Sequence, residues 1–205
     1  MMTTARDYPS RVRARRVGVP AAGAMLAVGA GLALGACGSS GPAVGSRTLY
    51  GPSGGQFSAA FPSSPGVLHL PASQETGLPP GSSTTVYGVG DLQSKSGAPK
   101  APTYAVSVTF LAGSGGAARS AELLAGFEQQ LARQKGVTVR NVTFGSARGF
   151  EAFGSELALT GGDNGDARAR AGMALVVRGA TIYLAGAFAD SASSVESFIA
   201  SFRPA

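Results

Sequence analysis

At 205 residues, 44% of them hydrophobic, the chain has enough apolar material for one domain with its own core, and its single cysteine excludes any internal disulfide or cysteine metal cluster. The 17 Lys and Arg against 11 Asp and Glu look like a basic protein, but five arginines and Asp7 precede Cys37. The remainder of the chain carries 12 basic and 10 acidic residues, scattered without a basic run, so the composition does not point to nucleic acid.

In chain order, the first element is a leader. Arg11, Arg13, Arg15 and Arg16 stand before an apolar run from Ala21 to Ala36, which ends in Leu34-Gly35-Ala36-Cys37. A basic segment, an apolar segment and small residues at the cut make a secretory signal. The cysteine directly after the small pair makes it a bacterial lipobox. The expected sequence of events is diacylglyceryl transfer to the Cys37 thiol and cleavage before it, leaving Cys37 as the lipidated first residue. Residues 1–36 are then signal peptide, 37–47 the acylated cysteine and a Gly/Ser/Pro-rich tether, and 48–205 a single domain. An uncleaved anchor is the competing reading, since 17–36 approaches the roughly 20 residues a span requires, though Pro20 and the Gly/Ala content weaken it. A buried structural Cys37 is the other, and Gly38-Ser39-Ser40 beside it argues against burial. Arg15-Arg16 leaves Sec and twin-arginine export both open.

Alternation predicts the next elements. Phe57, Ala59 and Phe61 form one face of a strand stopped by Pro62, and Leu68 and Leu70 oppose Val67 and His69 in a second. Residues 71–83 read as a loop, 84–89 as a strand, and 93–102 as a second polar loop. Tyr104, Val106, Val108 and Phe110 share a face of the strand over 103–111. Leu123, Leu124, Phe127 and Leu131 then predict a helix over 117–135, capped at Ser120 or an earlier small residue and ended near Gly136, with Arg133 and Lys135 at its negative end. Next comes a strand over 137–144 with a bulge near Asn141, then a turn at Arg148-Gly149 and a strand over 150–159 with Phe153, Leu157 and Leu159 on one face. Gly161 to Asp166, containing Asn-Gly, predicts a hairpin connection to a strand over 167–178, on which Ala169, Ala171, Met173, Leu175 and Val177 align. Arg178-Gly179 turns into a strand over 180–188. Val195, Phe198, Ile199 and Phe202 mark a final helix starting near Ser191.

This order predicts an α+β fold, an antiparallel sheet of about six to seven strands packed with two main helices. The opening Tyr50…Gly55-Gln56-Phe57-Ser58-Ala59-Ala60-Phe61-Pro62, the segment Gly149-Phe150-Glu151-Ala152-Phe153-Gly154-Ser155-Glu156 and the ending Phe198-Ile199-Ala200-Ser201-Phe202-Arg203 resemble the PsbP-like superfamily. That resemblance implies the fold and, by analogy, a protein-binding role. It carries over no functional residue.

Candidate chemistry is sparse. His69 is the only histidine, so any His-based metal site or hydrolytic triad depends on it. Asp163-Asn164-Gly165-Asp166 lacks the register and distant glutamate of a calcium loop. Gly113 to Ser120 precedes a helix as phosphate loops do, but has no P-loop lysine. Glu151 and Glu156, an odd number apart on one strand, point to opposite faces. No cofactor or metal is expected. The expected function is a non-catalytic binding or accessory module for a cell-envelope protein, held at the cell membrane through Cys37 and facing outside the cytoplasm. The alternative is a carrier or chaperone for a small apolar ligand such as a lipid, with Ala169, Ala171, Gly172 and Gly186 leaving room between sheet and helices.

Overall fold

A computed structural model describes residues 47–71, 78–90, 102–155, 158–159 and 170–205. The lipobox, its leader, Asp163 to Asp166, Glu156, Leu157 and Ala169 lie outside these residues.

Ten strands and two helices are described. The strands are β1 Thr48–Tyr50, β2 Phe57–Phe61, β3 Gly66–Pro71, β4 Ser83–Val89, β5 Thr103–Phe110, β6 Thr138–Phe144, β7 Ala147–Ser155, β8 Arg170–Arg178, β9 Thr181–Ala189 and β10 Arg203–Pro204. The helices are α1 Gly116–Ala132 and α2 Ala192–Ser201. A seven-stranded antiparallel sheet has the order β3-β4-β5-β9-β8-β7-β6, and a separate three-stranded sheet has the order β1-β2-β10.

The two helices cover opposite faces of the large sheet. On one side, Val106, Ala174, Val176, Ala185 and Ala187 meet Val195, Phe198 and Ile199 of α2 and Phe57, Ala59 and Phe61 of the small sheet. On the other, Phe150, Ala152, Met173, Leu175 and Ile182 meet Leu131 and the half-buried Leu123, Leu124 and Phe127 of α1. The central strands β8 and β9 are therefore apolar on both faces, as strands covered twice must be. Aromatic rings fill the α2 side, where Phe198 stacks edge-on to Phe61 at 5.2 Å and lies 5.3 Å from Tyr104.

Several local expectations are corrected. Of the two N-cap readings for α1, the earlier small residue holds: Gly115 is the N-cap, with no side-chain cap. Ser120 is buried one turn inside instead, its Oγ 2.6 Å from the Gly179 carbonyl oxygen, where it ties α1 to the β8–β9 turn. Arg133 is the C-cap, and no basic residue occupies the last helical turn. β6 contains no bulge: its register with β7 is continuous from Thr138↔Phe153 to Phe144↔Ala147. The alternation slips at Asn141 because β6 is an edge strand with no fully buried residue, and little burial enforces a pattern there. The turn lies at Gly145-Ser146, where Gly145 takes φ +61, as a two-residue hairpin loop requires. Arg148 and Gly149 are inside β7, which stops at Ser155. Phe153 consequently faces α2 while Leu159 joins the α1-side core.

The first described residue is pinned. Arg47 donates from Nη2 to the Ser194 carbonyl at 2.6 Å and stacks 5.3 Å over Tyr104, so the chain enters the domain beside the start of α2.

Candidate functional site

Among the described residues, two shallow hollows lie on the α2 side, between that helix and the β6–β7 hairpin. Residues Ala192, Glu196 and Ala200 are four apart and form one stripe of α2. The hollows run beside this stripe. One, of about 460 Å3, is lined by Val142, Thr143, Phe144, Glu151, Ala200 and Arg203. The other, of about 290 Å3, is lined by Thr138, Phe153, Ser155, Arg170, Ala192 and Glu196 among others.

Two arginine–aromatic pairs edge the groove. The Arg140 guanidinium lies 5.8 Å from the Phe153 ring centre, across the β6–β7 pair. Arg203 lies 5.7 Å from the Phe144 ring centre and donates to the carbonyls of Ala200 and Phe202. Stacking on a ring holds a guanidinium in place while leaving its edge N–H groups free for acceptors. Glu151, directly opposite Arg140, and Glu196 of α2, which lines the second hollow, are carboxylates on the same face. The first hollow is mainly apolar and the second mainly polar, with arginine donors and the Glu151 and Glu196 carboxylates at their margins.

Among the sequence candidates, His69 sits exposed on the edge strand β3, its Nδ1 3.0 Å from the Thr85 hydroxyl. The Gly113 to Ser120 segment is used locally: the Gly116 N–H donates to the Gly113 carbonyl, the Arg119 N–H to the Gly115 carbonyl, and Arg119 itself is exposed. Among the described residues, no group of three or more His, Cys, Asp and Glu is placed to hold a metal. No helix among them is long and apolar enough to cross a membrane.

The candidate ligand-space residues separate. A Cβ at Gly172 would meet Val195 and the Phe153 ring, so the space above it is filled by α2 packing. Ala171 is buried on the α1 side. Among the described residues, a Cβ at Gly186, on the α1 side of β9, would meet nothing within 4 Å. On the α2 side, Tyr87 donates to Gln56 Oε1 at 3.4 Å; burial first, and Tyr50 second, push its phenol above the usual tyrosine range.

Sequence reasoning missed the groove. Its walls come from segments about fifty residues apart, and the only local signal is an aromatic–arginine pattern split between hairpin and C-terminal segment. No protein-family model matches the chain, and no curated protein sequence matches it.

Proposed function

We propose that this chain is a lipid-anchored lipoprotein of the cell membrane, facing outside the cytoplasm, whose PsbP-like domain is a non-catalytic binding or accessory module for a cell-envelope protein. The carrying observation is Leu34-Gly35-Ala36-Cys37 at the end of an apolar run with arginines before it. Two acyl chains on Cys37 supply the paired hydrophobic anchor that stable membrane attachment requires. Confinement near the surface raises the effective concentration of the domain for neighbouring proteins. The seven-stranded antiparallel sheet, the two helices and the groove beside α2 are compatible with that role.

Radiolabelled palmitate should enter the wild-type protein and not Cys37→Ala. In-cell crosslinking should capture an envelope protein with the wild type and lose it, or lose most of it, with Cys37→Ala. Equal labelling of both forms overturns the anchor, and absence of any crosslinked partner overturns the binding role.

A second reading, a carrier of a small apolar ligand, draws on Gly186, where a Cβ would meet nothing within 4 Å among the described residues. Native mass spectrometry of the purified protein distinguishes it, since a carrier retains a stoichiometric lipid and a protein-binding module does not.

A further inference from the structure

The outer edge of β6 carries an inference that rests on the binding-module reading and goes beyond it. In an antiparallel pair alternate residues exchange both backbone hydrogen bonds, and the pair closing a two-residue loop is one of these. Counting back from Phe144↔Ala147, residues Phe144, Val142, Arg140 and Thr138 turn their backbone groups toward β7. Val139, Asn141 and Thr143 turn theirs outward, and β6 is the last strand of its sheet. Thr138, Arg140, Asn141 and Thr143 are exposed.

Edges of this kind are normally guarded by prolines, bulges or shortness. β3, at the opposite end of the sheet, is bracketed by Pro65 and Pro71, and β1 is only three residues long. β6 has seven residues, four of them the β-branched Thr138, Val139, Val142 and Thr143, with no proline and no bulge. It is built to pair.

Charge identifies the kind of strand it would accept. Arg133 and Lys135 lie in the turn that feeds β6, Arg140 is on β6, Arg148 is opposite Thr143, and Arg203 stacks on Phe144. The acids facing this rim are Glu151 on β7, opposite Arg140, Glu196 on α2, which shares a hollow with Thr138, and Glu128 on α1, so five basic residues stand against three acids. A second copy pairing edge to edge would bring two such basic rims together, which like-charge repulsion opposes. We propose that the open edge of β6 takes an extended acidic segment of a partner protein as an added strand. The outward N–H and C=O groups of Val139, Asn141 and Thr143 bind its backbone, and the arginines on both faces read its carboxylates.

The test uses the mature acylated protein in detergent micelles, titrated with a fluorescent eight-residue peptide repeating Glu-Glu-Val-Val, which places carboxylates on both faces of an added strand, and with the same peptide carrying lysine for glutamate. The glutamate peptide should bind at least tenfold more tightly and should slow amide exchange at Val139, Asn141 and Thr143. Asn141→Pro removes an outward N–H that β7 does not use and should weaken binding at least tenfold. If that variant fails to fold, the double variant Arg140→Glu with Arg148→Glu supplies the test, and it should reverse the preference toward the lysine peptide. Equal binding of both peptides, binding without protection at β6, or protection that grows with protein concentration in the absence of peptide overturns the proposal; the last outcome would mean a second copy. A photo-crosslinker placed in the full chain in its own cells at Asn141, or at Leu49, which is exposed on β1 away from the large sheet, separates the two levels. Adducts from Asn141 that vanish in the double arginine variant support the edge, adducts from Leu49 alone overturn the edge and leave the binding role, and none from either overturns the binding role.

Discussion

Gly172 lies on β8 directly under α2. A Cβ there would stand 2.4 Å from Val195 Cγ1 and 3.0 and 3.1 Å from carbons of the Phe153 ring, closer than packed atoms tolerate. Val195 is held in the core and Phe153 is half-buried against it, so helix or ring must shift, and overpacking of this kind costs about 1–3 kcal/mol. Gly172→Ala should therefore lower the unfolding midpoint measurably in a denaturant titration. Gly186→Ala, whose new methyl meets nothing within 4 Å among the described residues, should be neutral or stabilising by up to about 1 kcal/mol through the unfolded chain. Equal losses from both substitutions would contradict the packing described for α2. In the sequence these two glycines read alike, as small residues leaving room. What separates them is the depth at which α2 sits, a tertiary quantity that strand alternation does not encode.

The helices differ in how firmly they are held. α2 is capped by the Ser191 side chain, which accepts from the Ser194 N–H at 3.2 Å, and buries Val195, Phe198 and Ile199 within ten residues. α1 has no side-chain cap and buries only Gly116, Ser120 and Leu131 among its seventeen residues. Removing Phe198, fully buried between Phe61 and Tyr104, should cost about 3–5 kcal/mol. Leu124, half-buried on α1, should cost less than about 2 kcal/mol as alanine because less apolar area is returned to water. Native-state amide exchange should accordingly be faster in α1 than in α2, since local opening tracks buried contact; the reverse order would contradict this ranking. Both helices were legible because their apolar stripes recur at helical spacing, and β5 because Tyr104, Val106 and Val108 alternate against a filled face. The expected turn at Arg148-Gly149 failed inside β7, where Gly149 is buried and lies close against the Leu175 carbonyl of β8 instead of turning the chain; the expected bulge failed in β6, where burial is weak. At an exposed edge either face tolerates polar residues, so the pattern carries no register.

At the scale of the whole molecule, strand order brings together what the chain separates. The seven-stranded sheet was legible as a count of alternating segments, but its order, and the placement of α1 and α2 on opposite faces, come from pairings between distant segments. The groove shares that origin: Phe144 and Arg203 stack although they belong to different ends of the domain. The same long-range closure builds the small sheet, in which Arg203 and Pro204 pair with Ser58 and Phe57, and the Ala205 N–H donates to the Gln56 carbonyl at 3.0 Å. Arg178 adds a hydrogen bond to the Ala205 carbonyl. Deleting residues 203–205 removes these bonds and the ring contact of Arg203, while the buried Phe57, Phe61 and Phe202 remain. The bonds lost are mostly solvent-accessible, so at the low end of about 0.5 kcal/mol for each the deletion should reduce stability by about 2–3 kcal/mol. Exchange should quicken at the amides of β2 and hardly change in β8 and β9, which keep both partners of the large sheet. Equal acceleration in both sheets would mean that the small sheet opens only with the whole domain, and that β10 supports the fold globally instead of closing β2 alone.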